Sequence, residues 1–395
     1  MLLAIVLFLL RRPAAMSNPW FWAEDGAVFF TDQQVHGFSP LDPYAGQVWV
    51  LQRLVAGTAT FADPITSARA YYVIAGILTV LFLSVVLAQR CAPLLGSLPW
   101  RLFAFALLVL LPGAEEVQGT LANLHVWAAI AAVICLTARP PANSWSKAAE
   151  LAFIAVVSLS GFVAVVLLPA AAWSLWKYRT TYARLRLAVV ALGLVVAVIV
   201  WLETGRAVSP SGSVTEKVLL AAQSVPTRVA GTLAAGEDFS WSRSLLVLPL
   251  LVLAVVVASA VMDRGGPSLA WLSGGVLWLV LGAVSLPLLD AQLVLSMPFA
   301  VGRYFGLLLA MSLLTLVRRA SGIAPDPHKV VQNLLRVASV IVVALAAVGI
   351  LNDYRLMAHE PLTPGDSASF EACLDSGAED CRITVFPTGW TPIGS

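Results

Sequence analysis

Long apolar runs constrain what this chain can fold into. The run at 187–202, LAVVALGLVVAVIVWL, contains no charged residue, and similar runs recur along the whole sequence. Only 12% of the residues are charged and the mean hydropathy is +0.86, whereas a soluble domain carries about a quarter of its residues as Asp, Glu, Lys or Arg. The pattern predicts an all-α integral membrane protein, a polytopic bundle of transmembrane helices.

Polar breaks divide the apolar runs into about eleven predicted spans. A spanning helix needs about 20 apolar residues, and the first run is shorter, so we treat it as a degraded first span. The stretch 150–176 fits either one long tilted helix or two short helices around Leu159-Ser160-Gly161, and the charges favour two. The predicted spans are 1–15, 68–89, 102–113, 122–138, 150–160, 161–176, 187–202, 244–262, 267–289, 300–317 and 337–351.

Charge is distributed unevenly around these spans. With two helices in 150–176, the basic segments 90–101, 177–186 and 318–336 all face the cytoplasm, as the positive-inside bias favours. That side then carries 13 of the 24 Lys and Arg residues but only three of the 22 acids, Glu150, Asp263 and Asp326. Because acidic residues contribute little to insertion, their outward excess indicates chemistry on the outer side. A net charge of +2, with no long basic run, argues against a nucleic-acid partner.

Three non-spanning segments lie on the predicted outer side, at 16–67, 203–243 and 352–395. The first mixes Pro and Gly turns with amphipathic runs, which indicates short helices at the membrane interface. The simplest division is one integral domain over 1–351, followed by an extracytoplasmic tail over 352–395. In an oxidising compartment, Cys373 and Cys381 of this tail can close a small disulfide loop.

Two adjacent carboxylates, Glu24 and Asp25, interrupt an aromatic stretch in the first outer segment, NPWFWAEDGAVFF at 18–30. Aromatic side chains at headgroup depth would hold these acids where water meets lipid. One interpretation is a capped helix start, with Asp25 bonded to free N–H groups of a helix beginning at Gly26. The other is a general base that takes a proton from an acceptor hydroxyl. Neighbouring residues point in different directions, so only one acid can aim at the reacting atom, and we favour Asp25.

A second polar cluster, AEEVQGTLANLHVW at 114–127, separates two predicted spans. Polar residues packed between apolar spans are costly unless they find partners or line a wet cavity, so they are candidates for function. The alternative is a solvated hairpin turn, and Gly113 and Gly119 argue against a continuous helix. We assign four residues of this cluster to substrate binding: Glu115, Glu116, Asn123 and His125.

Arg303 enters an apolar span directly after an outer loop that carries Asp290. A guanidinium can bind a phosphate through two hydrogen bonds, which suits recognition of a lipid phosphate at the bilayer surface. The alternative is an arginine that extends to the headgroups without a specific role. We assign Arg303 and its neighbour Tyr304 to substrate binding.

Several common motifs do not occur in the sequence. There is no GxxxxGK[ST] loop, HExxH motif or GxSxG elbow, so ATP-driven transport, zincin proteolysis and serine hydrolysis lack their usual signals. Nor is there a CxxC or Cys/His spacing typical of structural zinc. The sequence therefore indicates no cofactor with certainty, and a divalent metal is an open alternative that no motif indicates.

Four features together resemble the GT-C-fold membrane glycosyltransferases over residues 1–320. They are AEDG in the first outer segment, the amphipathic runs after it, the acids with NLHVW in the second outer segment, and the late GRYF. The resemblance implies a GT-C-like bundle that moves a sugar from a polyprenyl-phosphate donor to an extracytoplasmic glycan, lipid or protein. The Asp-x-Asp pair of metal-dependent members is missing here.

The resemblance also implies roles for the candidate residues. Asp25, or else Glu24, would be the catalytic base, Glu115 or Glu116 a supporting acid, and Arg303 the cation that holds the departing lipid phosphate. A phosphate leaves without protonation, so one in-line displacement would invert the anomeric centre.

Other functions fit the sequence as well. The non-enzymatic alternative is a lipid-linked glycan flippase or a scaffold subunit of envelope assembly, and a polymerase or ligase of lipid-linked glycans would share the donor chemistry. The Ala, Val, Leu and Arg usage is typical of a high-GC bacterium. The expected location is therefore the bacterial cytoplasmic membrane, with the site facing outward.

Overall fold

Nearly all regular structure in this protein is helical. The computed structural model describes residues 1–204, 212–236, 246–286, 302–324, 329–356, 361–376 and 381–386. Within these ranges the only sheet is one short hairpin, made of β1 Pro43–Tyr44 and β2 Gln47–Val48. The prediction of an all-α protein is confirmed at this level.

The helices follow one another with short connections. In chain order they are α1 Leu2–Leu9, α2 Ala14–Ser17, α3 Thr31–Val35, α4 Val50–Ala59, α5 Pro64–Leu83, α6 Ala92–Leu95, α7 Leu98–Val109, α8 Leu124–Thr137, α9 Ser144–Ser158, α10 Val163–Tyr178, α11 Thr181–Thr204, α12 Val214–Val225, α13 Thr232–Ala235, α14 Val247–Val261, α15 Ser268–Ser285, α16 Gly302–Ala320, α17 Lys329–Asn352 and α18 Pro364–Asp375. Wider π-helical turns lie at Asp25–Phe30 and Pro226–Gly231, and 3₁₀ turns lie at Ser84–Leu87 and Gln89–Cys91.

Every predicted span overlaps one of these helices. Within the described ranges, four helical stretches are long and apolar enough to cross a membrane, namely Pro64–Leu87, Thr181–Thr204, Ser268–Ser285 and Lys329–Asn352. A fifth arises if Gln89–Leu95 and Leu98–Val109, which meet at 84°, form one broken span. Eleven spans exceed this number, and that topology stays a prediction. Residues 244–245, 287–289 and 300–301 of the predicted spans, together with Asp290 and Asp326, lie outside the described residues.

The stretch 150–176 forms two helices, as the charges favoured. Helix α9 ends at Ser158 and α10 begins at Val163. Between them Gly161 has a φ of +78°, a left-handed conformation that interrupts a right-handed helix and that glycine adopts readily. The N–H of Gly161 donates to the carbonyl oxygen of Val48 at 2.7 Å. The hairpin of the first outer segment is thereby attached to this break.

The first outer segment contains more than the predicted interfacial helices. Its hairpin turn has φ values of +52° at Ala45 and +76° at Gly46, both positive as in a type I′ turn. Strands of two residues are too short to show an alternating pattern, so the sequence did not reveal them. In the long outer segment, α12 and α13 lie in the described part, and 205–211 and 237–243 lie outside it.

Residues 111–123 connect α7 to α8 without a helix or strand, and all of them are buried. Buried backbone groups need hydrogen-bond partners. Two N-terminal arginines supply several: Arg11 donates to the carbonyl oxygen of Leu111 at 3.2 Å, and Arg12 donates to those of Glu115 at 2.9 Å and Gln118 at 3.3 Å. The alternative of a solvated hairpin turn is therefore wrong.

Buried ion pairs connect the helices at the end predicted to be cytoplasmic. The Glu150 carboxylate contacts both Arg90 and Arg186. Arg318 binds Asp263 through two hydrogen bonds of 2.9 and 3.1 Å. The segments predicted to share the cytoplasmic side thus meet at one end of the bundle, and which side of a membrane they face stays a prediction.

The described part of the tail returns to the first outer segment. The N–H of Ala23 donates to the carbonyl oxygen of Phe386 at 2.7 Å. The N–H of Phe386 donates in turn to the carbonyl oxygen of Phe21 at 2.9 Å. A disulfide between Cys373 and Cys381 joins α18 to the strand-like residues 381–386. The tail therefore supports the backbone directly before Glu24. Residues 357–360, 377–380 and 387–395 of the predicted tail lie outside the described residues.

This contact leads to a test of the disulfide. Replacing both Cys373 and Cys381 by Ser removes a crosslink over a sequence separation of 8, and closing a loop of that size contributes about 2–3 kcal/mol in the chain-entropy model. We expect amide hydrogens over residues 21–26 to exchange with deuterium about 30-fold faster or more. Peptides from α8 serve as the internal control. Unchanged exchange over 21–26 would show that the tail does not depend on the crosslink.

Candidate functional site

A cavity of about 130 Å³ brings together residues from distant parts of the chain. Its walls come from the first outer segment, the start of α8 and the ends of α10, α15 and α16. The aromatic wall residues are Tyr44, Trp49, Phe162, Trp278 and Tyr304, and the polar ones are Glu24, Gln47, Asn123, His125, Ser285 and Arg303.

Arg303, at the start of α16, lies between two carboxylates. Its Nη1 donates to Glu24 Oε1 at 3.2 Å. Its Nε lies 2.7 Å from Glu116 Oε1, although the N–H does not point along this contact, which makes it an ion pair without a directed hydrogen bond. The main-chain N–H of Arg303 donates to Glu116 Oε2 at 3.3 Å. Glu116 therefore stabilises both the side chain and the helix start, where negative charge is favourable.

Glu24 has two differently placed carboxylate oxygens. Oε1 accepts the hydrogen bond from Arg303, while Oε2 is buried and accepts no hydrogen bond from any residue that the structure describes. A buried, unpartnered polar atom is uncommon in folded proteins. Because Glu24 also lines the cavity, this oxygen is a site where a ligand hydroxyl could donate.

Asp25 does not line this cavity. Its two carboxylate oxygens accept the N–H groups of Leu121 at 3.0 Å and Ala122 at 2.6 Å. Burial raises the pKa of Asp25 to about 7, against the lowering effect of these two N–H groups. Asp25 thus holds the segment before α8. Because both of its oxygens are used there, the Asp25 side chain does not cap the π-helical turn that begins at Asp25. Of the two adjacent acids it is Glu24, the less favoured from sequence, that faces the cavity.

The two acids of the second cluster, Glu115 and Glu116, also point to different places. Glu116 is buried behind Arg303, and burial raises the pKa of its carboxyl to about 7 although Arg303 lowers it. Glu115 points elsewhere and pairs with Arg12 at 3.3 Å. Of the two predicted supporting acids, only Glu116 contacts a cavity residue.

Asn123 and His125 both line the cavity. Asn123 donates to Thr120 Oγ1 at 3.0 Å. The His125 ring packs between Trp49 and Trp278, with ring centroids 5.2 and 5.3 Å away. Its Nδ1 lies 2.8 Å from Gln52 Nε2 and 2.7 Å from the carbonyl oxygen of Ala122, and the tautomer decides which contact is a hydrogen bond. The described residues contain no group of three or more His, Cys, Asp or Glu placed to hold a metal ion.

Tyr304 packs tightly on α15. A Cβ added at Gly282 would lie 2.2 Å from Tyr304 Cδ1, so only glycine leaves room for the ring there. The Arg303 guanidinium lies 5.4 Å from the centre of the same ring, within cation–π range. Tyr304 therefore forms part of the wall and also restricts Arg303.

Apart from Tyr304, sequence reasoning missed the aromatic residues that line the cavity. Trp278 donates a hydrogen bond from Nε1 to the carbonyl oxygen of Arg303, and Trp49 contacts His125. Trp278 stands inside an apolar span, where nothing in the sequence distinguishes it from a core residue. Trp49 belongs to the hairpin, which was itself not predicted.

No protein-family model, curated protein sequence or solved structure matches the chain. A functional assignment therefore starts from the chemistry of the cavity, and the predicted GT-C resemblance stays a prediction.

The two raised pKa values predict how stability depends on pH. Asp25 and Glu116 titrate at about 7 in the folded protein and near 4 when unfolded. Folding therefore favours their protonated forms, and stability falls as the pH rises from about 4 to about 7. We expect a lower melting temperature at pH 8 than at pH 5.

A double variant, Asp25→Asn with Glu116→Gln, should flatten this pH dependence. Asp42→Asn, at an exposed site in the same outer segment, should leave it unchanged. Thermal melts of detergent-solubilised protein across this pH range measure the effect. A wild-type melting temperature that rises with pH would contradict the assigned protonation.

Proposed function

We propose that this protein is a membrane glycosyltransferase of the GT-C type, which moves a sugar from a polyprenyl-phosphate donor to an extracytoplasmic acceptor. One observation carries the proposal: a guanidinium lies 3.2 Å from a carboxylate in a cavity with aromatic walls, and the second, buried oxygen of that carboxylate has no partner among the described residues. The location in a bacterial cytoplasmic membrane, with the cavity facing outward, is part of the proposal.

Glu24 is the base in this proposal. The acceptor hydroxyl donates to Glu24 Oε2, and its proton moves to the carboxylate as the hydroxyl oxygen attacks the anomeric carbon. The bond from that carbon to the phosphate oxygen breaks, and its electron pair leaves with the lipid phosphate. Attack opposite the leaving group inverts the anomeric centre. Asp25 acts indirectly, because it positions the residues before Asn123.

Arg303 stabilises the negative charge on the departing phosphate. Preorganised charge of this kind is among the largest contributions to catalysis. Glu116, the start of α16 and the hydrogen bond from Trp278 to the Arg303 carbonyl oxygen hold this residue in place. A flexible surface arginine would have none of these restraints.

The walls suit a sugar ring. A sugar has apolar C–H faces and polar hydroxyl edges, and sites for small molecules combine apolar surface with a few placed polar groups. Here Trp49 and Trp278 offer ring faces, and the side chains of Gln47, Asn123 and Ser285 can exchange hydrogen bonds with hydroxyl groups.

The distribution of polar groups supports transfer over lipid flipping. Arg303 and Arg318 stand at opposite ends of α16, about 22 Å apart at 1.5 Å per residue. The cavity belongs to the first end, and the Arg318–Asp263 pair at the other end is buried and mutually bonded. A flippase needs polar groups along a path through the bilayer, whereas a transferase needs them gathered at one face.

The test is a transfer assay with purified protein in proteoliposomes and synthetic polyprenyl-phosphate hexose and pentose donors. Glu24→Gln should lower the transfer rate by about 10²- to 10⁴-fold, the usual contribution of a general base. Asp42→Asn should retain wild-type activity, since Asp42 is exposed and does not line the cavity. The product anomer, read by NMR, should be inverted.

Two results would count against the proposal. Retention of anomeric configuration would exclude the single displacement. Movement of labelled lipid-linked sugar across the bilayer without transfer, and unchanged in Glu24→Gln, would favour a flippase.

A further inference from the structure

We propose that the donor phosphate replaces Glu24 on the Arg303 guanidinium, so that arrival of the donor releases the base. This inference rests on the proposed function and adds a regulatory step to the same site. Without a donor, Glu24 Oε1 is held in the ion pair with Arg303; with a donor bound, the whole carboxylate is free to move toward the acceptor hydroxyl.

The charges around Arg303 favour such an exchange. Arg303 is the one Lys or Arg among the described residues that line the cavity, and it already contacts two carboxylates. When Glu116 is ionised, above its pKa of about 7, these three side chains carry a net charge of −1. A phosphate that enters next to them is repelled by both carboxylates at short range. Phosphate and Glu24 therefore compete for the same cation.

The contacts indicate which of the two carboxylates, Glu24 or Glu116, leaves Arg303 when the phosphate binds. Glu116 has a side chain only 2% exposed, and it holds Arg303 through the main-chain N–H as well as the guanidinium. Among the described residues, Glu24 has a single 3.2 Å hydrogen bond and no partner for its second oxygen, and its side chain is 16% exposed. Glu24 thus loses little when it leaves, and it lies on the cavity side where the phosphate enters.

The contacts of Arg303 keep it in place during the exchange. Its backbone is fixed at the start of α16 by Glu116 and Trp278, and its side chain, 30% exposed, reaches the cavity. A guanidinium binds phosphate through two parallel hydrogen bonds, which are stronger than one bond to a carboxylate oxygen. The phosphate can therefore offset the lost Glu24 contact.

The exchange would also change the hydrogen bonding of Glu24. Its Oε1 accepts from Arg303 in the structure, and the phosphate would take over that donor. Both carboxylate oxygens of Glu24 could then accept a hydrogen bond from the acceptor hydroxyl.

Binding measurements test the exchange separately from catalysis. We would titrate full-length protein in detergent with farnesyl phosphate by calorimetry. Wild type should bind, Arg303→Gln should bind at least tenfold more weakly, and Glu24→Gln should bind about three- to tenfold more tightly because the competing anion is gone. Glu24→Ala serves as a second variant with the same expected direction. Asp42→Asn is the control for any change in outer-segment charge.

Different failures have different meanings. Equal or weaker binding by both Glu24 variants, together with loss of binding in Arg303→Gln, would overturn the exchange and leave the transferase proposal standing. No binding of farnesyl phosphate by wild type, with no transfer activity, would overturn the proposed function itself. A further outcome is that the Glu24 variants bind phosphatidylglycerol more tightly than wild type, by the same factor as farnesyl phosphate. That result would identify a site for lipid headgroups and overturn the release of the base by the donor.

Discussion

The burial of an irregular backbone segment is the constraint on which the rest of this structure depends. Residues 111–123 bring peptide groups into the interior without a helix to pair them, and in a membrane protein such backbone is tolerated only inside protein or beside water. Some partners lie within the segment, such as Thr120 and Asn123, which donate to the carbonyl oxygen of Glu116, and others come from outside it. Arg11 and Arg12 bind its carbonyl oxygens, Asp25 binds two of its N–H groups, and Asp353 accepts the N–H of Gly113 at 3.1 Å.

This solution explains why the candidate site is assembled from remote positions. The partners of the buried segment lie near both ends of the described chain, and they converge where the segment leads into α8. Glu116 and His125 belong to that region and reach Arg303 and Trp278 from it. The same contacts that satisfy the backbone therefore orient the polar side chains of the cavity.

Sequence reasoning located the helices and the polar clusters, because apolar runs and their interruptions are local properties. It did not resolve roles within a cluster. Glu24 and Asp25 are adjacent and similar, and only the position of Leu121 and Ala122 decides that Asp25 is enclosed and Glu24 is not. Glu115 differs from Glu116 for a similar reason, since its partner Arg12 is about a hundred residues away. Trp278 needed the packing of α15 against α16 before it could be placed beside Arg303.

The π-helical turn at Asp25–Phe30 has a consequence for how this site tolerates changes in chain length. A π turn accommodates one residue more than an α turn, and it leads directly into α3. Deleting one residue between Gly26 and Phe30 would convert the π turn into an α turn, which is locally favourable. Because the π turn itself holds the extra residue, the residues before it would keep nearly the same direction relative to α3, and Glu24 would stay beside Arg303. The chain can therefore lose one residue here without displacing the site, whereas a second deletion would rotate the preceding residues by about 100° relative to α3.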